Sequence, residues 1–172
     1  GLTELEAWGT GTLPYIAPAP RTGNIALNQT GQGFPKASAS FHDVYGGTPE
    51  KAIDGRVNYK PTPVNRWTSY GSPSKTDWFE VDFGTSKEVR RADLSIYDDR
   101  GGVQPPASYT IESFDGQAWK EVSDLVTSPK VPAGSAVNTA TFRPVTCQKL
   151  RIVFTHQGQS RSGLTELELR ND

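Results

Sequence analysis

Along most of this chain hydrophobic residues recur at every second position, and short polar or Gly/Pro-rich stretches separate the runs. From Asp77 to Phe83 the alternation is strict, with Phe79, Val81 and Phe83 opposing Glu80 and Asp82. From Val89 to Tyr97, Ala92, Leu94 and Ile96 oppose Arg91, Asp93 and Ser95. A period of two is that of a strand in a sheet wetted on one side. Ile25 with Leu27, Ala37 to Phe41, Val137 to Phe142, Cys147 to Phe154 and Leu164 to Leu169 follow the same rule. Tyr109 to Ser113 and Ala118 to Val122 flank Asp115-Gly116, which predicts a hairpin whose tight primed turn takes its positive φ from that pair. Ser123 to Ser135, with Pro129 and Pro132, reads as a loop. No stretch carries the 3.6-residue period of an amphipathic helix, so the predicted class is all-β.

Composition narrows this reading. At 172 residues the chain suits one domain with a full core, and 34% hydrophobic content with 17 glycines and 13 prolines suits short strands joined by turns. The formal net charge of -1, with acids and bases interspersed, provides no basic field for nucleic acid or for an anionic membrane. A lone Cys147 makes no intramolecular disulfide and reads as a small core residue. No apolar run reaches the roughly 18 residues of a membrane span, and no charged-then-apolar leader opens the chain.

Gly1-Leu2-Thr3-Glu4-Leu5-Glu6 recurs unchanged as Gly163-Leu164-Thr165-Glu166-Leu167-Glu168. The expected organisation is therefore residues 1–8 as the last strand of a preceding homologous module, 9–23 as a Pro-rich linker and 24–172 as the module itself. The bland alternative is that the first copy is simply this domain's own first strand. A beginning in mid-motif reads as a piece of something longer.

Catalytic chemistry has little to work with. His42 and His156 lie in separate loops, the only thiol sits in a strand, and no nucleophile-elbow, zinc-protease or phosphate-loop pattern occurs. Two other features stand out. Asp54 lies between an apolar pair and Gly55, in a turn where backbone carbonyls converge with a carboxylate, which is how a hard cation is held, and Glu166 is the distant acid to complete it. The competing reading has Asp54 capping a turn and Glu166 as a solvated strand residue. The second feature is Tyr97 to Pro106, where alternation gives way to Asp98, Asp99 and Arg100, then to glycines and Gln104. A carboxylate beside a guanidinium holds adjacent sugar hydroxyls by charge-assisted bonds. His42 and Tyr70 are candidate walls, with Tyr45 and the loop His156 to Arg161 as neighbours. Here the competing reading is a solvated turn in which Arg100 neutralises the acids beside it.

In this order, Lys51-Ala52-Ile53-Asp54-Gly55, Trp67, Trp78-Phe79-Glu80-Val81-Asp82-Phe83-Gly84, Ser113-Phe114-Asp115-Gly116 and Glu166-Leu167-Glu168-Leu169 resemble the discoidin family, also called the coagulation factor 5/8 type C domain. That family includes the family 32 carbohydrate-binding modules. The resemblance runs from about Asn24 to Leu169 and implies a jelly-roll β-sandwich, galactose-binding-domain-like, with a structural calcium. Its ligands would be the carbonyls of Lys51, Arg56 and Thr165, the carboxylates of Asp54 and Glu166, and Asn65. Arg100 stands, with a shift of one residue, where family 32 modules carry a galactose-binding arginine. The Asn-Gly that follows in those modules is missing, and Thr68 replaces their histidine. The disulfide-linked coagulation-factor branch is not matched.

The function implied is a non-catalytic carbohydrate-binding module of a multimodular, secreted bacterial polysaccharide-degrading enzyme. Its partner would be a poly- or oligosaccharide, and the module a monomer tethered to a catalytic domain and a sister module. The alternative is a cell-surface or protein-adhesion module of the same fold. Phospholipid binding would need apolar loop tips beyond what Val44, Val57 and Val103 provide.

Overall fold

A computed structural model describes residues 22–172. The segment expected to be a strand of a preceding module, and nearly all of the expected linker, lie outside the described residues. Eight strands follow in order: β1 (Lys36–Ala39), β2 (Trp67–Thr68), β3 (Thr76–Ile96), β4 (Ser108–Phe114), β5 (Trp119–Glu121), β6 (Val126–Ser128), β7 (Ala136–Thr155) and β8 (Gly163–Arg170), with one 3-10 turn at Pro49–Ala52. Among the described residues no helix is long and apolar enough to cross a membrane.

The strands form a jelly-roll β-sandwich, and two long strands explain how. β3 and β7 pair antiparallel in two long zones, Thr76 to Asp82 against Thr155 to Lys149 and Arg91 to Ile96 against Thr141 to Ala136, joined by a short stretch of Lys87 to Val89 against Cys147 to Val145. Register shifts separate the two zones, between Asp82 and Lys87 and between Val89 and Arg91. Such irregularities bend a strand and sharpen its twist, so each long strand serves both layers. One layer runs β1, first half of β3, second half of β7, β4, β5; the other runs β2, β8, second half of β3, first half of β7, β6. The alternation read as four separate strands is thus two bent ones. At the bend Gly84 has φ +74, and a Cβ there would lie 2.5 Å from the Phe34 ring, so both conformation and space demand glycine.

Between the layers lies the core, with Phe79, Val81, Ile111, Leu150, Ile152 and Phe154 meeting Leu94, Ile96, Leu164, Leu167 and Leu169. Trp67 joins it fully buried, as its size requires. The buried Cys147 has its thiol pushed up to about 11 by that burial. At pH 8 the native protein should therefore react with a disulfide reagent at least a hundred-fold more slowly than the unfolded chain, about the scale of the lost thiolate. Equal rates, followed by absorbance, would mean that the thiol is accessible.

Other departures from the sequence reading have local causes. Ile25 and Leu27 form no strand: Ile25 N donates to Leu169 O (2.9 Å), but the return bond from Leu169 N goes to the Asn24 side chain (3.1 Å), which also accepts from Ala26 N (3.0 Å), so the ladder stops at one rung. The 114–119 hairpin exists, but its loop is the four residues 115–118, tied by Asp115 Oδ1 accepting from Gln117 N and Ala118 N, and Gly116 supplies φ +100. β6 falls inside the stretch read as a loop. Asp93, placed outward by period two, is buried beneath Arg91, Arg170 and Thr139, which all meet its carboxylate.

Candidate functional site

Loops 41–47, 65–70, 97–104 and 156–162 gather at one end of the sandwich. They are pinned there by backbone bonds: Asp43 N to Thr68 O (3.1 Å), Ser69 N to Ser162 O (2.9 Å), Tyr97 N to Gly163 O (3.0 Å) and Arg161 N to Gly102 O (2.9 Å). Asp43 organises the first loop, its Oδ1 accepting from Tyr45 N and Gly47 N and its Oδ2 from the Thr68 hydroxyl. The Asp99 carboxylate does the same for the third, accepting from Gly101 N (2.7 Å) and Val103 N (3.0 Å) through Oδ1. Its Oδ2 has no hydrogen bond to another described residue.

These loops enclose an open cleft of about 200 Å³ lined by Asp43, Tyr45, Arg66, Thr68, Tyr70, Tyr97, Asp99 and Val103. Two of its aromatic rings are open to solvent, Tyr45 at 72% and Tyr70 at 46% exposure, with centroids 6.0 Å apart. The Arg66 guanidinium lies 4.2 Å from the centre of the Tyr97 ring and donates to Pro61 O (3.1 Å). Stacking and that bond hold the cation in one orientation with other N–H groups in hand. Burial lifts the Tyr97 phenol above its ordinary range, opposed by Arg66 and reinforced by Asp99 and Asp98, so its hydroxyl stays protonated. A cleft of this size, below the roughly 300–1,000 Å³ of drug-sized pockets, suits one small polar ring.

Of the residues read from sequence as sugar contacts, Tyr70 and Asp99 meet in this cleft. Asp98 is half-buried against Gly134, with Oδ1 accepting from Arg100 N. Arg100 is exposed with φ +57 and is not among the residues lining the cleft. Exposed His42 also lies off the lining, its Nδ1 3.0 Å from Asp43 O. Gln104 borders a neighbouring groove. Sequence reasoning missed Arg66, the cation the cleft does contain. The available signal was its place directly before the core Trp67, on the side of the tryptophan opposite to Thr68.

The proposed cation ligands also converge. Lys51 O, Asp54 Oδ1 and Arg56 O lie 3.4, 3.3 and 3.1 Å from one atom, Asn65 Nδ2. An amide nitrogen has two hydrogens, so three acceptors around it exceed what it can satisfy, and turning the amide over would aim its oxygen at the same point. Glu166 is 1% exposed, with both oxygens 3.1 Å from Gly55 N. It is not the solvated strand residue of the competing reading. Burial, then the neighbouring Asp54 carboxylate, push its carboxyl up to about 9. Thr165 is the extra residue of a bulge: Ser95 pairs with Glu166 and Ile96 with Leu164, so Thr165 stands outside the regular ladder. An oxygen-rich cradle with two crowded carboxylates fits a hard cation. Among the described residues no group of three or more His, Cys, Asp or Glu that could hold a metal ion gathers, so an ion here would depend on backbone and amide oxygens beside the two carboxylates.

A third constellation has the order of a catalytic triad. His156 Nε2 is 2.8 Å from Asp77 Oδ2, and Nδ1 is 3.0 Å from Ser162 Oγ. Ser162 is only 1% exposed, however, so no substrate reaches its oxygen, and the trio serves to bolt the 156–162 loop to β3. Burial would raise the Asp77 carboxyl, but bonds from His156, Ser40 and Ser72 outweigh it and hold the group below its ordinary value. A depressed carboxylate contributes stability that is complete above its unfolded pKa of 3.8 and lost as pH falls through the folded value. Asp77→Asn should thus lower stability at pH 7 and flatten the loss below pH ~4. Unchanged acid unfolding, followed by tryptophan fluorescence, would rule out this contribution.

Two bent strands shared between the layers, a bulged β8 and a cleft among the loops at one end together define the class of β-sandwich. The model of the F5/8 type C domain matches residues 36–167, and the chain belongs to that family. Among solved structures, the fold is similar to one from the Streptococcus pneumoniae β-galactosidase BgaA, with 23% identity over 88% of this chain and 100% of that one and a TM-score of 0.80. It is also similar to chitosan-binding module 1 of a Paenibacillus chitosanase/glucanase, with 24% identity over 86% of this chain and 98% of that one (TM-score 0.64). The family 32 carbohydrate-binding module of Clostridium perfringens NanJ, solved with galactose, shares 20% identity over 78% of this chain and 91% of that one (TM-score 0.61).

Proposed function

We propose that this chain is a non-catalytic carbohydrate-binding module that takes a sugar ring in the cleft formed by Tyr45, Arg66, Tyr70 and Asp99. The observation that carries the reading is the pairing, in one open cleft, of exposed tyrosine faces with a stacked guanidinium and a carboxylate oxygen that has no other described partner. Pyranose rings present an apolar face and a rim of hydroxyls that both donate and accept, and these groups answer each in kind. Support comes from similar structures described as modules that bind chitosan or galactose. A glycan array followed by calorimetric titration tests the reading, and no retained glycan would refute it.

The module would act outside the cell, as a monomer tethered to a catalytic domain and a sister module, holding that enzyme on its polymer. Weak single-site binding, on the order of 0.01–1 mM, becomes useful retention when copies are linked. Arg100, Asp98 and His42 lie off the lining of this cleft, and Gln104 borders the neighbouring groove.

A structural calcium would be held by Lys51, Asp54, Arg56, Asn65, Thr165 and Glu166. It would neutralise the two carboxylates and staple β8 to the 51–65 loop. A ligand bound only by the folded state at a hundred times its Kd adds about 2.7 kcal/mol, so excess chelator should lower the Tm by about 5–10 °C. An unchanged Tm, with no calcium by metal analysis, would remove the ion from the account.

A further inference from the structure

The loop from Tyr97 to Gln104 has two sides, and each borders a depression. Asp99 and Val103 face the cleft already described, while Gly101, Gly102 and Gln104 border a second groove of about 380 Å³ opposite Gln157, Gln159 and Ser160. The partition between them is thin. The Tyr70 ring lies on Gly102 so closely that a Cβ at that glycine would fall 2.3 Å from Tyr70 Cε2.

It is also firmly held. Val103 forms a parallel bridge with Arg161, flanked by Gln104 N to Arg161 O and Arg161 N to Gly102 O, both 2.9 Å. The opposite wall is set by Ser160, whose N and Oγ both donate to Gln157 O, and by the Arg161 guanidinium, which donates to the carbonyls of Ser72, Gln159 and Ser160. Backbone bonds thus fix the near wall, and bonds from Ser160 and Arg161 fix the opposite one, which leaves the glutamine side chains to face the groove. The Gln157 and Gln159 carboxamides make no hydrogen bond to another described residue, and Gln104 spends one N–H on Gly101 O. The lining carries no charged side chain, and the two glycines give it a low saddle. Each carboxamide offers a donor beside an acceptor, the pairing that vicinal sugar hydroxyls require.

We propose that this groove is a second sugar subsite, so that the ligand is the end of an oligosaccharide of at least two residues crossing the Gly101–Gly102 saddle. One ring sits in the tyrosine-lined cleft and the next lies over the amides of Gln104, Gln157 and Gln159. The proposal rests on the reading of the chain as a carbohydrate-binding module and adds ligand length to it.

Calorimetric titration of the full chain with two series separates the two ideas: galactose against lactose, and glucosamine against chitobiose and chitotriose. Within the series that binds, the longer sugar should bind about ten-fold more tightly than its monosaccharide, the scale of two neutral hydrogen bonds. Gln157→Ala combined with Gln159→Ala should erase that gain and leave monosaccharide affinity unchanged, and circular dichroism should show the fold intact, since backbone bonds hold the turn. Equal affinity for monosaccharide and oligosaccharide, or a gain that survives the double substitution, overturns the second subsite while the first stands. No binding by any member of either series overturns both.

Discussion

Replacing Trp67 with alanine is expected to cost about 3–5 kcal/mol, the range for deleting a large buried aromatic. The indole is wholly buried, its ring centre 5.2 Å from that of Phe79 and 5.7 Å from that of Phe154, and its Nε1 donates to Phe41 O at 2.8 Å. Alanine would leave a cavity between the two layers, break two aromatic contacts and strand a carbonyl at the root of the 41–47 loop. Against a typical total stability of about 5–15 kcal/mol, the variant should lose 6 °C or more of Tm and loosen the cleft with it. Trp67→Phe retains most of the apolar area and should cost distinctly less. Thermal unfolding by near-ultraviolet circular dichroism measures both, and a loss under about 1 kcal/mol for the alanine variant would deny the tryptophan its place at the centre of the core.

The neighbouring residue should behave in the opposite way. Arg66→Ala is expected to leave the fold nearly untouched, losing one stacked cation at roughly 0.5–1 kcal/mol, yet to weaken sugar binding by about 1.5–3 kcal/mol, the scale of hydrogen bonds to a charged group. From a starting affinity on the order of 0.1 mM that places binding beyond detection. Arg66→Lys should rescue little, because a point charge neither lies flat on Tyr97 nor presents a planar fork. Calorimetry on the folded variants reads the effect, and undiminished affinity in Arg66→Ala would remove the guanidinium from the site.

Much of the fold was legible because side-chain alternation reports burial directly. Phe79, Val81, Leu150 and Ile152 are buried where period two placed them. What alternation does not carry is continuity. β3 and β7 keep their ladder through bulges, and a bulge looks in sequence like the end of one strand and the start of another. β8 illustrates a second limit. Glu166 and Glu168 occupy polar positions in the pattern yet are buried, because the 51–55 loop covers one and Arg170 pairs with the other.

The candidate site was half legible for a related reason. The dense polar run at residues 98–104 supplies Asp99 and Val103 to the cleft lining, and the family resemblance, confirmed by the match over residues 36–167, pointed to the same loops. Which arginine faces the cleft depends on backbone direction. A left-handed φ at Arg100 and the Asx-type bond from its N–H to Asp98 place that residue in an exposed turn, whereas Arg66 reaches Tyr97 from another element. Spacing along the chain contains neither fact. Asp43 is a similar case: it has no motif of its own, and its importance lies in the three groups its carboxylate gathers.

The claim that sugar is held in the cleft of Tyr45, Arg66, Tyr70 and Asp99 is tested most directly by amide chemical-shift mapping of the 15N-labelled chain during titration with galactose and with glucosamine, repeated on Arg66→Ala and Arg100→Ala. The account predicts saturable shifts centred on residues 43–45, 66–70 and 97–103, abolished in Arg66→Ala and retained in Arg100→Ala. Shifts clustered elsewhere on the sandwich, or binding lost in Arg100→Ala and kept in Arg66→Ala, would contradict it.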